Sequence, residues 1–279
     1  MVLSQDNLYY KRMASSIGDK ARLVPFISGH RILEIGFGGG ELMDILDSEG
    51  YEVHGLDASE ISVGKLNAKS YFDRVKEGFA DEIGSHWSSG YFDTVILSSV
   101  LHEVFSYGNR EEKDKHSLDA IRKTLAVIMK SLHPGGRIII RDGVLAENWD
   151  EKTTMMMLNK DVEGVNKYLD MQPFKDRVSL SLIEEYTFLG NLESVASFAY
   201  TYTWGEDALP RESQELFGVM TQNEYCLMLE ETGFSMVHHE EYVQQGYVTA
   251  LSPKLMLKTP SGEEVSFPST NAIWVAVKA

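Results

Sequence analysis

The sequence predicts an α/β protein built around a doubly wound, mostly parallel β-sheet, and two observations carry this prediction. Short apolar runs alternate with amphipathic segments over residues 31–143, the pattern of βαβ units with right-handed crossovers. The alternation resumes over residues 221–279, after a stretch at 144–220 that does not follow it. We therefore expect one sheet domain made of 31–143 and 221–279, with an inserted cap at 144–220 between the fifth strand and the following helix.

The first part of this pattern contains five strands, each a short apolar or alternating run, at 31–35, 51–57, 75–80, 91–99 and 137–143. Helices are predicted between them where apolar residues recur at helical spacing, at 41–50, 59–70 and 117–136. In the last of these, Ile121, Leu125 and Ile128 share one face, and Pro134 ends the helix.

The second part predicts a helix at 221–234, strands at 235–243 and 271–279, and a hairpin at 254–267. Residues 1–30 are predicted to form an N-terminal helical lid. The inserted cap is predicted to be mainly helical, although residues 198–205 alternate and could form a strand. Its aromatic residues could line a pocket for a small molecule, stack on a nucleobase or form the core of the cap.

The bulk properties limit the compartment and the partners. The chain has 279 residues, a net charge of −16 and a single cysteine, Cys226, so no internal disulfide can form. This fits a reducing compartment. No signal-peptide pattern and no apolar run long enough to span a membrane is present, and we expect a cytoplasmic protein without a membrane partner. The acidic balance argues against broad nucleic-acid binding and favours a small-molecule partner.

A glycine cluster lies between the first predicted strand and the first helix, in the segment EIGFGGGE (34–41). Such a turn lets a ligand approach the backbone and the N-terminus of the helix closely. A dinucleotide motif, G-x-G-x-x-G, would need glycine at the position of Glu41, which disfavours an NAD-dependent oxidoreductase. The cluster fits E-x-G-x-G-x-G instead, with Glu34, Gly36, Gly38 and Gly40.

Asp57 ends the second predicted strand, at the same edge of the sheet as the glycine cluster. A carboxylate there can accept hydrogen bonds from both hydroxyls of a ribose, although it could also cap the helix that begins near Ser59.

Together, these motifs resemble those of the class I S-adenosylmethionine-dependent methyltransferases. The resemblance covers residues 31–143 well and 221–279 loosely. It rests on ILEIGFGGG (32–40), VHGLDAS (53–59), EGFADEI (77–83), FDTVILSSVLHEV (92–104) and LHPGGRIII (132–140). The third segment departs from the family pattern, because Phe79 stands where an aspartate is usual and Asp81 offers the carboxylate from a shifted position.

The resemblance implies a seven-stranded sheet whose last strand is antiparallel, and S-adenosylmethionine as the cofactor. It implies that Glu34 contacts the amino-acid portion of the cofactor, that the backbone over 36–38 passes near its ribose, and that Asp57 binds the ribose. The cofactor-binding residues that it implies are Glu34, Gly36, Phe37, Gly38, Gly40, Asp57, Ala58, Ala80, Asp81, Ser98 and Ser99.

Methyl transfer needs a general base only if the acceptor must lose a proton. The candidates follow the fourth and fifth strands, at the carboxyl edge of the sheet: His102, Glu103 and Asp142. Arg141 could bind an acidic acceptor or pair with a carboxylate. No metal site is predicted, because His238 and His239 are adjacent in a strand and their side chains face opposite ways.

We therefore expect a methyltransferase that acts on an O or N atom of a small or medium-sized acceptor. Two alternatives remain: a methyltransferase of RNA or a modified nucleotide, and a non-catalytic S-adenosylmethionine-binding regulatory protein. The segment SSVLHEV (98–104) differs from the motif of enzymes that methylate exocyclic amines of nucleobases, which favours the small-molecule reading.

Overall fold

The computed structural model describes residues 17–108 and 115–279, and most of the predicted N-terminal lid lies outside them. The chain divides into two compact units. Unit 1 comprises residues 1–142, 223–240 and 273–279, and unit 2 comprises residues 143–222 and 241–272.

The strands of the described residues are β1 (Arg31–Ile35), β2 (Glu52–Asp57), β3 (Val75–Glu77), β4 (Phe92–Ser98), β5 (Leu132–Gly143), β6 (Lys152–Met157), β7 (Ser181–Glu184), β8 (Thr187–Asn191), β9 (Phe234–Tyr242), β10 (Leu255–Lys258), β11 (Glu264–Val265) and β12 (Asn271–Lys278). The α-helices are α1 (Ile17–Lys20), α2 (Glu41–Ser48), α3 (Glu60–Lys65), α4 (Ile83–His86), α5 (Leu101–Tyr107), α6 (Leu118–Ser131), α7 (Val162–Met171), α8 (Leu192–Tyr202), α9 (Leu209–Glu212), α10 (Gln222–Thr232) and α11 (Gln245–Leu251). Short 3₁₀ helices lie at Ala21–Phe26, Phe72–Arg74 and Ala80–Glu82.

Unit 1 is built on a seven-stranded sheet in the order β3-β2-β1-β4-β5-β12-β9. The pairs β1–β2, β1–β4, β2–β3 and β4–β5 are parallel. The prediction of a doubly wound, mostly parallel sheet with its last strand antiparallel is confirmed. The strand order reverses between β1 and β4, and open α/β sheets bind ligands at the carboxyl edge beside such a switch point.

The central strands β1 and β4 of this sheet are buried, as expected for strands covered on both faces. Ile32 and Leu33 of β1, and Val95 and Ile96 of β4, have no exposed surface. The predicted helix at 117–136 ends earlier than expected, at Ser131, because residues from Leu132 onward extend β5.

Unit 2 contains a five-stranded sheet in the order β11-β10-β6-β8-β7, and its strand pairs are antiparallel. The expectation of a mainly helical insertion was wrong in one respect: the insertion contains the helices α7, α8 and α9, but its strands β6, β7 and β8 were not predicted. In β6, Thr153, Met155 and Met157 are buried while the residues between them are more exposed. This alternation is that of a strand with one covered face. The predicted hairpin at 254–267 is confirmed as β10 and β11, and it pairs with β6.

The proposed strand at 198–205 was also wrong, because most of that segment belongs to helix α8. Leu192, Val195 and Phe198 are buried at positions i, i+3 and i+6 of this helix. Asn191 caps its N-terminus, and the side-chain oxygen of Asn191 accepts the Ser194 N–H at 2.9 Å. The helical face and the cap together outweigh the local alternation of aromatic residues.

No helix in residues 17–108 and 115–279 combines the length and the hydropathy that a membrane span requires.

Candidate functional site

The glycine cluster forms the turn from β1 into α2, and three of its glycines have left-handed backbones. The φ angles are 67° at Gly36, 58° at Gly38 and 80° at Gly40. A Cβ added to Gly36 would lie 2.4 Å from Val100, and one added to Gly40 would lie 2.5 Å from Leu66. Both the backbone angles and the lack of space therefore require glycine. The Phe37 ring is fully buried, so only its backbone is available to a ligand.

Glu34 on β1 is a buried acid whose hydrogen-bonding capacity is not filled. Its side chain is 1% exposed, and neither carboxylate oxygen makes a well-aligned hydrogen bond within the described part of the chain. Burial raises the pKa of the carboxyl from 4.5 to about 8, against the opposing charge of Lys20 and the backbone N–H of Met43 in the first turn of α2. An unsatisfied acid at this depth is costly unless a ligand supplies a donor.

Asp57 ties the end of β2 to the glycine turn. One carboxylate oxygen accepts the N–H of Gly38 at 2.9 Å, and the other accepts the N–H of Ser59 at 2.9 Å. Burial raises the pKa of Asp57, and these two backbone donors oppose the rise. A carboxylate can accept about four hydrogen bonds, so the two backbone contacts leave capacity for ligand hydroxyls.

Two charged residues near the turn were missed by sequence reasoning. Lys20, in the short helix α1, is only 5% exposed, and its charge acts on both Glu34 and Asp57. Glu41 begins α2, and its carboxylate lies against Gly39, where an added Cβ would be 2.2 Å from its nearer oxygen. No spacing pattern marks a lone lysine or a first-turn glutamate, so the sequence offers no signal for either.

Three further cofactor candidates lie on the loops that follow β2 and β3. Ala58 follows Asp57 and is exposed. Ala80 is 7% exposed and opens the short 3₁₀ helix that also contains Asp81. The N–H of Gly78 donates to the carbonyl of Asp57 at 3.0 Å, which joins the two loops.

Ser98 and Ser99 end β4 in different ways. Ser98 is 4% exposed, and its hydroxyl has no hydrogen-bond partner among the described residues. Ser99 has a φ of 61°, which is strained for a residue with a side chain. Its hydroxyl oxygen accepts Nη1 of Arg141 at 2.8 Å. Arg141 also forms an ion pair with the carboxylate of Asp19, which is one of the two roles predicted for this arginine.

His102 and Asp142 form a buried pair. Nδ1 of His102 and Oδ1 of Asp142 are 2.6 Å apart, and the two residues are 4% and 0% exposed. The other Asp142 oxygen accepts the N–H groups of Val100 at 3.0 Å and Leu101 at 2.7 Å. Asp142 therefore caps helix α5 from the neighbouring strand and orients the imidazole.

The pairing of His102 with Asp142 indicates different roles for the three candidate bases. In the tautomer that donates Nδ1–H to this carboxylate, Nε2 is the ring nitrogen that carries the lone pair. Asp142 is fully buried and engaged by several donors, which suits a positioning residue rather than a base. Glu103 is half-buried in the first turn of α5.

Comparisons with known proteins agree with this fold. A family model described as a methyltransferase domain matches residues 9–239. An uncharacterized methyltransferase of Staphylococcus carnosus (strain TM300) is 28% identical over 167 residues, which cover 60% of this chain and 68% of that protein. CymA of Salinispora arenicola (strain CNS-205), described as a probable non-canonical nonribosomal peptide synthetase, is 36% identical over 116 residues. That match covers 40% of this chain and spans 1% of the length of CymA.

Solved structures share the fold at low sequence identity. An S-adenosylmethionine-dependent methyltransferase of Mesorhizobium loti has a TM-score of 0.54 at 17% identity, over 94% of this chain and 97% of its own. One from Archaeoglobus fulgidus has a TM-score of 0.52 at 14% identity, over 98% and 94%. The chain therefore belongs to the methyltransferase domain family, and its fold is that of the class I S-adenosylmethionine-dependent methyltransferases.

Proposed function

We propose that the chain transfers the methyl group of S-adenosylmethionine to an oxygen or nitrogen atom of a small or medium-sized acceptor. Family and fold support the reaction class. The three left-handed glycines and the two acids of neighbouring strands support the cofactor. The acceptor class is our own inference from the charge of the chain and the form of the site.

The observation that carries the proposal is the buried Glu34 carboxylate, whose oxygens make no well-aligned hydrogen bond within the described residues. S-adenosylmethionine has an α-ammonium group at its amino-acid end, which can donate the missing hydrogen bonds. Asp57 would accept the ribose hydroxyls, while the backbone over 36–38 would approach the ligand where side chains cannot fit. The residues present therefore fit this cofactor.

The cofactor carries an activated methyl group, so the protein mainly aligns the acceptor with it and excludes water. His102 would accept the proton of an acceptor hydroxyl or ammonium through Nε2, and Asp142 would hold the imidazole and stabilise its charged form. The buried Ser98 hydroxyl, at the end of β4, would border the reacting atoms.

A small acceptor is supported by the charge of the chain and by the burial of aromatic rings in unit 2. The net charge of −16 opposes binding to a polyanion. Phe188 and Phe198 are fully buried in the core of unit 2, so they are not available to stack a nucleobase.

Calorimetric titration of ligand-free protein with S-adenosylmethionine, S-adenosylhomocysteine and NAD tests the cofactor. We expect binding of the two sulfur compounds in the micromolar range and no binding of NAD. A screen of acceptors with a methyl-labelled donor then tests transfer. Label found on RNA but on no small molecule would contradict the acceptor class, and cofactor binding without any transfer would favour a regulatory protein.

Asp57→Ala is expected to weaken the binding of S-adenosylhomocysteine by about 1.5–3 kcal/mol, or one to two decades, because charge-assisted hydrogen bonds to the ribose are lost. The binding of 5′-methylthioadenosine, which has the same ribose but no amino acid, should weaken by the same factor. Calorimetry measures both affinities. Unchanged affinity for either ligand would remove Asp57 from the ribose site.

His102→Gln is expected to lower the rate of methyl transfer by about 10²–10⁴-fold while the affinity for S-adenosylhomocysteine changes by less than about threefold. The reason is that glutamine cannot accept the proton of the acceptor. His239→Ala, at an exposed position of β9, is the matched control and should retain full activity. A fully active His102→Gln variant would show that the acceptor needs no base at this position.

A further inference from the structure

Lys20 is buried without a hydrogen bond to explain its burial. It is 5% exposed at the end of α1, and no hydrogen bond of its ammonium group is seen in the described part of the chain. Its neighbour Asp19 is engaged by Arg141. A charged group in this position is costly unless other charges compensate it.

The compensating charges belong to the glycine turn. The ammonium of Lys20 acts electrostatically on Glu34 of β1 and on Asp57 of β2, and it lowers the pKa of both acids. Glu41 adds a third carboxylate next to Glu34. Lys20 is therefore a buried cation whose charge acts on an acid whose oxygens make no well-aligned hydrogen bond within the described residues.

An acid without a well-aligned hydrogen bond and an unpartnered base, both more than nine-tenths buried, match the two charges of an amino-acid zwitterion. Its α-ammonium would complete the hydrogen bonds of Glu34, and its α-carboxylate would give Lys20 an acceptor. A charge-assisted hydrogen bond of this kind is about twice as strong as a neutral one. Direct pairing of Lys20 with Glu34 would leave both α-charges of the ligand without a partner.

We propose that Lys20 binds the α-carboxylate of the cofactor and, together with Glu34, forms a clamp for the amino-acid end of the ligand. The proposal rests on S-adenosylmethionine being the cofactor. It makes Lys20 a specificity residue, because the clamp separates ligands with a complete amino acid from shorter adenosyl thioethers.

Comparing two ligands that differ only in the amino acid tests the clamp. Lys20→Gln should weaken the binding of S-adenosylhomocysteine by about 10- to 100-fold and change the binding of 5′-methylthioadenosine by less than about threefold. Lys20→Arg should retain most of the affinity for S-adenosylhomocysteine. Lys69→Gln removes an exposed charge that pairs with Asp44, and this matched control should leave both affinities unchanged.

If Lys20→Gln weakened the binding of both ligands equally, the proposal would be overturned, because Lys20 would then support the turn as a whole. Unchanged affinity for both ligands would overturn it as well. If the wild-type protein bound neither S-adenosylmethionine nor S-adenosylhomocysteine, the proposed function itself would fail, and that result does not depend on any variant.

A second measurement covers the case in which Lys20→Gln does not fold. Decarboxylated S-adenosylmethionine retains the sulfonium and the ammonium but lacks the carboxylate. The clamp predicts that the wild-type protein binds it about 10- to 100-fold more weakly than S-adenosylmethionine. Equal affinity for the two compounds would overturn the assignment of Lys20.

Discussion

Asp142→Ala is expected to lower the free energy of unfolding by about 3–5 kcal/mol, because it leaves several buried groups without a partner. The N–H groups of Val100 and Leu101 and the imidazole of His102 all contact this carboxylate, which has no exposed surface. Alanine can accept none of these hydrogen bonds, and the buried site leaves little room for water to replace them.

Asp142→Asn distinguishes the two roles of Asp142, which caps helix α5 and orients the imidazole of His102. The amide oxygen can still accept the backbone N–H groups, so we expect a smaller loss of stability, about 1–2 kcal/mol. The amide NH₂ would then face Nδ1 of His102 as a donor and shift the ring proton to Nε2. This tautomer cannot accept a proton through Nε2, and we expect methyl transfer to fall by about 10²-fold or more.

Denaturant unfolding of the ligand-free variants gives the two stabilities, and ¹⁵N NMR of the histidine ring gives the tautomer. His239→Ala serves again as the control, because its side chain lies exposed on β9. An Asp142→Ala variant as stable as the wild type would show that Asp142 does not cap α5. An Asp142→Asn variant with unchanged activity would show that the tautomer of His102 does not matter for transfer.

Glu34→Gln is expected to act in opposite directions on stability and on binding. The pKa of Glu34 lies at about 8 in the folded protein and at 4.5 when the group is in water. Between these two values the folded state holds a proton that the unfolded state has lost, so stability falls as the pH rises through this window. Glutamine has no proton to lose. At pH 5 the two proteins should therefore have similar stability, whereas at pH 9 the variant should be more stable by about 2–4 kcal/mol.

The same substitution should weaken the binding of S-adenosylhomocysteine by about 10- to 100-fold, because a neutral amide replaces the carboxylate that meets the ligand ammonium. In the wild-type protein, binding at pH 7 should release up to one proton, since Glu34 must ionise to form the pair. The Glu34→Gln variant should not release this proton when it binds S-adenosylhomocysteine. The wild-type protein should not release it when it binds 5′-methylthioadenosine.

Thermal unfolding from pH 5 to 9 measures the first effect, and calorimetry in buffers of different ionisation enthalpy measures the second. Other titrating groups contribute equally to both proteins and cancel in the difference between them. A variant that was less stable than the wild type at pH 9 would contradict the cost that we assign to the buried acid. Equal proton release by the two proteins would show that Glu34 does not ionise on binding.

The sheet of unit 1 and its glycine turn could be predicted because both leave local patterns. The strands β1, β4 and β5 each contain a short apolar run, and the helices between them repeat at 3.6 residues. The turn needs glycine at fixed positions, and Asp57 follows at the end of the next strand. Each of these features is determined within a few residues of sequence.

Other features depend on contacts between distant segments. Strand β6 pairs with β8 and also with β10. Because β10 lies about a hundred residues further along the chain, no local pattern predicts this pairing. Asp142 reaches α5 because β4 and β5 align Ser98 with Arg141. Lys20 lies on α1, which contacts α2 across more than twenty residues of sequence, and no local pattern predicts its burial. The alternating aromatic residues of α8 resemble a strand, and tertiary packing decided the outcome there.

The division of the chain has a consequence for exchanging parts between related enzymes. The backbone passes from one unit to the other four times, at residues 142–143, 222–223, 240–241 and 272–273. Transplanting residues 143–222 alone would omit β10 and β11 and leave β6 as an open edge with unpaired backbone groups. A functional graft must therefore transfer two separate segments together, and chimaeras joined at a single pair of breakpoints should aggregate.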